Sequence, residues 1–132
     1  MSLWPGAIQA DDMPPLHSES PPSFTADMVI SADPQGRPSV AATISIPYGE
    51  VQWIRIPPAE RRAAHVEVSI SIQGRRRDPL HGDLWERRVV VPSFAASRSP
   101  NAALTDRRVF HLPPGRHEVR VTVRDLNGGL ES

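Results

Sequence analysis

The chain contains no cysteine, and its 15 basic residues are all arginine, with no lysine. The absence of cysteine excludes a disulfide framework and a thiolate metal site, and it leaves the redox compartment open. Four groups of arginines are consecutive: Arg61-Arg62, Arg75-Arg76-Arg77, Arg87-Arg88 and Arg107-Arg108. These runs indicate either a phosphate-binding stripe or a codon bias that writes surface cations as arginine. The 15 acidic residues bring the formal net charge to zero, which favours codon bias and predicts no nucleic-acid partner.

Long hydrophobic runs are also absent, since no segment approaches the roughly 18 apolar residues of a membrane helix. We therefore expect no membrane insertion. Residues 1–12 have no basic start and too short an apolar stretch for a signal peptide, so the sequence carries no intact signal peptide. A second interpretation takes residues 6–10 as the cleavage end of a longer leader, and an in-frame stop directly before Met1 would contradict it.

Proline marks the organisation of the chain. Residues 1–23 show no sustained periodicity and contain five prolines: Pro5, Pro14, Pro15, Pro21 and Pro22. This composition predicts an extended, disordered linker or arm. Residues 24–132 are predicted to form one β-sandwich domain. A segment of this length can support a single two-layer core.

Seven segments of this domain alternate apolar and polar residues with the period of two that is typical of half-buried strands. They are Thr25–Ala32, Val40–Ile46, Val51–Ile56, His65–Gln73, Leu84–Val91, Arg107–Leu112 and His117–Asp125. The second and fourth carry apolar ladders, Val40, Ala42, Ile44 and Ile46, and Val66, Val68, Ile70 and Ile72. No helical pattern competes. The sequence therefore predicts an all-β protein, an antiparallel immunoglobulin-like β-sandwich of about seven strands without the cysteine pair of true immunoglobulin domains.

Three connections are informative. The residues of Asp33-Pro34-Gln35-Gly36 match a type I turn, which predicts that the first two strands pair. Pro113-Pro114-Gly115-Arg116 matches a type II turn and predicts a hairpin between the last two strands. Pro92 to Asp106 is either a functional loop or a crossing between sheets, and the size of the sandwich favours the crossing.

Four stretches resemble the β-sandwich domain of bacterial GWxTD-domain proteins. They are Gly82-Asp83-Leu84-Trp85-Glu86-Arg87-Arg88-Val89, Leu112-Pro113-Pro114-Gly115-Arg116, Val121 to Asn127, and Ile46-Pro47-Tyr48-Gly49-Glu50-Val51. The resemblance covers about residues 24–129, and the namesake motif occurs nowhere in the chain, so the activity of that second domain is not carried over. The resemblance implies a structural or interaction module of an exported or envelope-associated bacterial protein, with the periplasm or cell envelope as its compartment.

Signatures of common hydrolase, zincin, nucleotide and calcium sites are missing, so we expect no enzyme, no catalytic residue and no cofactor. His111 and His117 flank the turn at 113–116 and, with Glu118 or Asp106, form a candidate metal site. No third ligand sits at a diagnostic spacing, which favours two surface histidines and no metal.

The end of the sequence predicts an interaction edge. Asn127-Gly128-Gly129 is a strong hairpin signal, but only three residues follow it. The pattern therefore predicts that a final strand is missing. The preceding strand would then expose an unpaired edge at Val119, Arg120, Val121, Thr122 and Val123. We expect self-association or capture of a protein partner through this edge.

Glycan binding is the alternative function, because sandwich modules that bind sugars present exposed aromatic rings. The candidates for ligand or partner contact are Tyr48, Trp53 and Trp85. Trp53 and Ile54 fall on opposite faces of a strand, so Trp53 points outward if Ile54 points inward. The competing interpretation places the tryptophans in the core, which is the more common position for large aromatics in a domain with so few.

Overall fold

The computed structural model describes residues 2–3, 16–17, 22–32, 34–74, 79–112, 117–128 and 130–131. Strands dominate this part of the chain. They are β1 (Ser2–Leu3), β2 (Leu16–His17), β3 (Thr25–Ala32), β4 (Pro38–Pro47), β5 (Ile54–Ile56), β6 (Arg61–Gln73), β7 (Pro79–Val91), β8 (Ala103–His111), β9 (Glu118–Asp125) and β10 (Leu130–Glu131). One short α-helix, α1 (Phe94–Ser97), and a 3-10 turn at Tyr48–Glu50 complete the elements.

The strands form two antiparallel sheets. The smaller sheet has the order β2-β3-β4-β8. In the larger sheet, β6 is central, with β7 along one side and both β9 and β5 along the other, while β1 and β10 pair with the far side of β9. The predicted class, an all-β antiparallel sandwich, is confirmed.

The core lies between β4 of the smaller sheet and β6 and β9 of the larger one. Alternate residues of these strands are buried, and register places Ile70 of β6 directly beside Val121 of β9. Both predicted apolar ladders are buried, which confirms that they form the core. Each such side chain contributes about 1.5 to 3 kcal/mol when it leaves water, which offsets the cost of ordering the backbone.

Local turn chemistry explains the pairing of β3 with β4. Gly36 has φ of +80°, a conformation that glycine adopts without the strain imposed by a side chain. The two strands pair in continuous antiparallel register from Thr25 opposite Ser45 to Ala32 opposite Pro38. The predicted pairing across 33–36 is confirmed, and the bounds of β3 agree with the prediction.

The long connection crosses from one sheet to the other, as expected. The chain leaves β7 in the larger sheet and enters β8 in the smaller one. The expectation that no helix occurs is wrong, because α1 begins directly after Ser93, whose hydroxyl accepts the backbone N–H of Ala96. This side-chain cap stabilises a single helical turn within an otherwise all-β chain.

The expected hairpin between the last two long strands is also wrong. The turn itself, residues 113–116, lies outside the described residues. Its flanking strands belong to different sheets, because β8 pairs with β4 and β9 pairs with β6. The chain therefore changes sheets between His111 and Glu118.

Short strands lie at both ends of the sequence. In the predicted arm, residues 1–23, β1 pairs with β9 and β2 pairs with β3. Pro22 is buried, and the backbone N–H of Ser23 donates to the Glu50 carboxylate at 3.3 Å, while the remaining residues of the arm lie outside the described ranges. At the other end, β10 occupies the position beside β9 where the sequence pattern predicts a further strand. Within the described ranges, no helix is long and apolar enough to cross a membrane.

Candidate functional site

Two long edge strands meet on one side of the sandwich, which we call the open side. β7 is 13 residues long and, among the described strands, pairs only with β6. β8 likewise pairs only with β4 in the described part of the chain. Each strand therefore presents one row of backbone N–H and C=O groups that no described strand occupies, which is the feature that strand addition requires.

Among the side chains of the larger sheet that the structure describes, the most exposed apolar one lies on the outer face of β7. Leu84 is 63% exposed and Val90 is 47% exposed, and both lie on the face that points away from the core. Glu86 and Arg88 lie between them on the same face. The outward pattern along β7 is thus apolar, acidic, basic, apolar.

The inner faces of β7 and β8 are joined by polar side chains, which we call the polar seam: Asp83, Trp85, Arg87, Asp106 and Arg108. The Asp106 carboxylate accepts the indole N–H of Trp85 at 3.0 Å and also accepts a hydrogen bond from Arg87. Its side chain is only 14% exposed. Because a mostly buried carboxylate needs charged or hydrogen-bonded partners, Asp106 ties the two sheets together through β7.

Arg108 closes the polar seam from the β8 side. Its Nε–H donates to the Asp83 carboxylate at 2.9 Å, and its guanidinium carbon lies 3.9 Å from the centre of the Trp85 ring. A guanidinium at this distance interacts with the ring electrons and covers one ring face. Trp85 therefore packs on the core with its N–H bonded and one face covered.

Tyr48 and Trp53 form a second aromatic pair at one end of the sandwich. The indole N–H of Trp53 donates to the Tyr48 carbonyl oxygen at 2.9 Å, and the rings meet edge to face with centroids 4.9 Å apart. Both side chains are partly buried against the core. Ile54 is 51% exposed, so the isoleucine points outward and Trp53 points inward. The core interpretation of the tryptophans is thus the one the contacts favour.

A concavity of about 470 Å³ lies beside Trp53. Its lining includes Gln52, Arg62, Phe94 and Arg98. Phe94 is exposed, but the guanidinium carbons of Arg62 and Arg98 lie 5.7 and 5.2 Å from the centre of its ring. The one exposed aromatic ring of this concavity is therefore engaged by two cations of the same chain.

A second concavity, of about 760 Å³, lies on the outer face of the larger sheet. It spans three strands, with Ser69 of β6 between Thr122 of β9 and Leu84 of β7. Small polar side chains make this face shallow next to the exposed leucine. It adjoins the open side, and its titratable lining residues are Glu67, Asp83 and Arg124.

Asp125 is a buried residue that sequence reasoning missed. Its carboxylate accepts three backbone N–H groups, from Gln52 at 2.7 Å, Asn127 at 3.0 Å and Gly128 at 3.2 Å. The side-chain amide of Asn127 in turn donates to the carbonyl oxygens of Gln52 and Ala63. The only sequence signal at this position was the pattern Asp-x-Asn-Gly, which predicts a turn. The role of Asp125 is structural.

The edge expected on β9 is largely occupied. Val119, Val121 and Val123 point into the core, whereas Arg120 is exposed and Thr122 is half-buried. β6 pairs with the whole strand on one side. On the other side, β1 pairs with Val119 and Arg120, and β10 pairs with the end of the strand. Among the described residues, Glu118 and the run Val121, Thr122 and Val123 lack a partner there, so the longest open stretch of this edge is much shorter than that of β7.

The two histidines of the candidate metal site adjoin strands of different sheets, β8 and β9. His111 is exposed at the end of β8, whereas His117 is 5% exposed, so the interpretation of both as surface residues is wrong for His117. The difference arises because the chain changes sheets between them. No group of three or more potential metal-binding side chains occurs within the described ranges.

The strand order and the polar seam define the class of this chain as an antiparallel β-sandwich with two edge strands on one side. No protein-family model, curated protein or solved structure matches it. The resemblance to GWxTD-associated domains stays a prediction.

Proposed function

We propose that this chain is a non-catalytic protein-interaction module that associates with its partner through the edge of β7 with which no described strand pairs. The observation that carries the proposal is the combination of a 13-residue edge strand with two exposed apolar side chains, Leu84 and Val90. As the resemblance to GWxTD-associated domains implies, the module belongs to an exported or envelope-associated bacterial protein. A structural spacer role is compatible with the same fold.

Strand addition is the mode of association that such an edge supports. A partner strand satisfies the backbone groups of the edge, and alternate side chains give the contact its specificity. Long edges with exposed apolar residues are usually shortened, bulged or covered in proteins that remain monomeric. The edge of β7 that no described strand pairs with is much longer than the open run Val121 to Val123 on β9, and it therefore replaces the β9 edge as the proposed contact.

Glycan binding remains the alternative, and it has weaker support. A sugar-stacking platform needs an exposed aromatic face. Trp53 and Trp85 are partly buried and donate their indole N–H groups to acceptors in the same chain. Phe94 is exposed but is flanked by two guanidinium groups. Each of these rings thus already has a partner within the chain, which weakens the support for a sugar-stacking role.

The proposal is tested by affinity capture from the detergent-solubilised envelope of the source organism, with the full chain as bait. A Leu84→Lys/Val90→Lys bait places charges on the β7 edge without changing buried residues. The matched control is Val29→Lys/Val109→Lys, which alters two valines on the outer face of the smaller sheet, 43% and 44% exposed. Circular dichroism establishes that all baits are folded.

We expect a protein that the native and control baits retain and the β7 variant loses. Equal retention by all three baits would contradict the proposed edge. Retention of no protein, combined with binding to a glycan array that Trp53→Ala removes, would favour the alternative function.

A further inference from the structure

We infer that the β7 edge, which no described strand occupies, pairs with a second copy of this chain, antiparallel about a two-fold axis at Arg87. The inference rests on the proposed function, because it specifies the occupant of the same edge. In this arrangement, a residue that lies a given number of positions before Arg87 in one copy is opposite the residue that lies the same number of positions after Arg87 in the other copy. The two larger sheets then form one continuous sheet across the axis.

The outward side chains of β7 are complementary to themselves in this register. Leu84 of one copy lies opposite Val90 of the other, which pairs the two exposed apolar residues. Glu86 lies opposite Arg88 of the second copy, which pairs an acid with a base. Because the axis repeats each contact, the interface gains two apolar pairs and two ion pairs, the cross-strand contacts that stabilise antiparallel sheets.

Neighbouring registers lack this complementarity. Directly opposed residues of antiparallel strands point to the same face, so a symmetric pair must be centred on a residue. Centring on Glu86 places the two Glu86 carboxylates opposite each other, and centring on Arg88 places the two Arg88 guanidinium groups together. Only the register centred on Arg87 joins unlike charges and apolar side chains along the whole outer face.

The neighbouring strand strengthens the argument at Glu86. Within one chain, Glu86 of β7 lies directly opposite Glu67 of β6. Arg124 of β9 lies opposite Glu67 on its other side and compensates that carboxylate within the chain. Because like charges in register destabilise a sheet, a cation on the open side of Glu86 would compensate the second carboxylate in the same way. His65 contacts Glu86 at 2.9 Å, but it carries a charge only when protonated. Arg88 of the second copy supplies a permanent cation at this position.

The inner face accommodates the axis as well. Trp85 lies opposite Val89 of the second copy, and both are partly buried against their own core. The two Arg87 side chains meet at the axis, but each is already ion-paired with the Asp106 carboxylate of its own chain. The pair at the centre is therefore neutralised within each protomer before the strands meet.

Charged residues on an edge normally discourage pairing with arbitrary strands. On β7 the same charges favour a partner strand that places a base opposite Glu86 and an acid opposite Arg88. The antiparallel second copy of β7 meets this condition. Pairing from Asp83 to Val91 forms about eight to ten backbone hydrogen bonds between the copies.

The experiment exchanges the charges of the two copies. Glu86→Arg places two arginine pairs in the interface, and Arg88→Glu places two glutamate pairs there, so each variant alone is expected to associate at least about tenfold more weakly. An equimolar mixture of the two variants restores both unlike pairs in a heterodimer. The double variant Glu86→Arg/Arg88→Glu restores them in a homodimer. Sedimentation velocity over a micromolar concentration series measures each association constant.

A cross-linking arm reports the register directly. Because the chain has no cysteine, Leu84→Cys and Val90→Cys each introduce a single thiol. Under mild oxidation the mixture of these variants should form a mixed disulfide, since directly opposed residues lie about 5 Å apart. Each variant alone should cross-link poorly, because the two copies of residue 84 are separated by six strand positions, or about 20 Å.

Dimerisation of the native chain, its loss in both single charge variants and its return in their mixture are the expected results. A native chain that is monomeric throughout the series would overturn the inference. So would a dimer that the charge variants leave unchanged, or self and mixed cross-links in equal yield. A monomeric chain that still captures a different protein through β7 would retain the proposed function while excluding the second copy as partner.

Discussion

The carboxylate of Asp125 accepts the backbone N–H of Gln52 at 2.7 Å, although the two residues lie 73 positions apart in the chain. This bond holds the segment before β5 against the end of β9. The same carboxylate organises the turn after β9 by accepting the N–H groups of Asn127 and Gly128. One buried side chain thus fixes two loops at the same end of the sandwich.

Replacing Asp125 by Asn should destabilise the fold. The new amide group retains one acceptor oxygen and turns a donor toward backbone N–H groups, so at least one of them loses its partner. We expect the free energy of unfolding to fall by about 2 to 4 kcal/mol, as measured by urea denaturation. The control Asp27→Asn, on the exposed face of β3, should change it by less than about 0.5 kcal/mol. Equal stability of the two variants would contradict the role of Asp125.

The two carboxylates of the polar seam should differ in their contribution to stability. Asp106→Ala leaves the indole N–H of Trp85 and the Arg87 guanidinium without their acceptor, so we expect a loss of about 2 kcal/mol. Asp83 is 42% exposed, and its pair with Arg108 is partly solvated, so Asp83→Ala should cost about 1 kcal/mol or less. Thermal unfolding of both variants measures the difference. A larger loss for Asp83→Ala would refute this ranking.

Arg108 should shield Trp85 from collisional quenching. In a chain whose Trp4 and Trp53 are replaced by Phe, Trp85 is the sole tryptophan. Removing the guanidinium with Arg108→Ala uncovers a face of the ring, so the acrylamide quenching constant should rise. Acrylamide is neutral, which avoids the attraction of an anionic quencher to arginine. The control Arg107→Ala alters an exposed neighbour and should leave quenching unchanged, and an equal rise in both would show that Arg108 does not cover the ring.

Two glycines should respond in opposite directions to alanine. Gly36 has φ of +80°, so Gly36→Ala should lower the free energy of unfolding by about 1 kcal/mol through backbone strain, although its side has open space. Gly49 also has open space and lacks a positive φ, so Gly49→Ala should raise stability by about 0.4 to 1 kcal/mol by reducing the entropy of the unfolded chain. Differential scanning calorimetry compares the two, and destabilisation by both would contradict the assignment.

The parts of the fold that were predicted correctly are those that depend on local sequence patterns, namely apolar alternation and turn residues. β3 and β4 are adjacent in sequence, alternate cleanly and are joined by a turn with recognisable chemistry, so their pairing needs no distant information. The order of the remaining strands depends on contacts between distant residues. The sequence pattern at 113–116 is equally compatible with a hairpin and with a change of sheet. Leu112 and His117 on either side of it are buried, and this burial results from packing of the two sheets, which the turn residues do not encode.

The candidate site depended even more on distant contacts. Ile54 and Trp53 have similar apolar character, and β5 is too short for alternation to decide which one faces the core. From the sequence alone, Asp125 is interpreted as a turn residue. Its role as an acceptor depends on the backbone N–H groups of Gln52 and two loop residues, and only the fold brings these groups together. The free edge of β7 follows from strand order, which alternation within a strand does not encode.

The polar seam also determines where the two sheets first separate in local unfolding. On the open side, the two sheets are joined by ion pairs and an indole hydrogen bond that concentrated salt screens, whereas the centre of the sandwich is joined by aliphatic contacts that salt strengthens. Fluctuations that part the sheets should therefore begin between β7 and β8 and reach β4 and β6 last. Backbone amides of β7 would exchange with solvent deuterium faster in high salt, while those at Ile44 and Ile70 would exchange only through global unfolding.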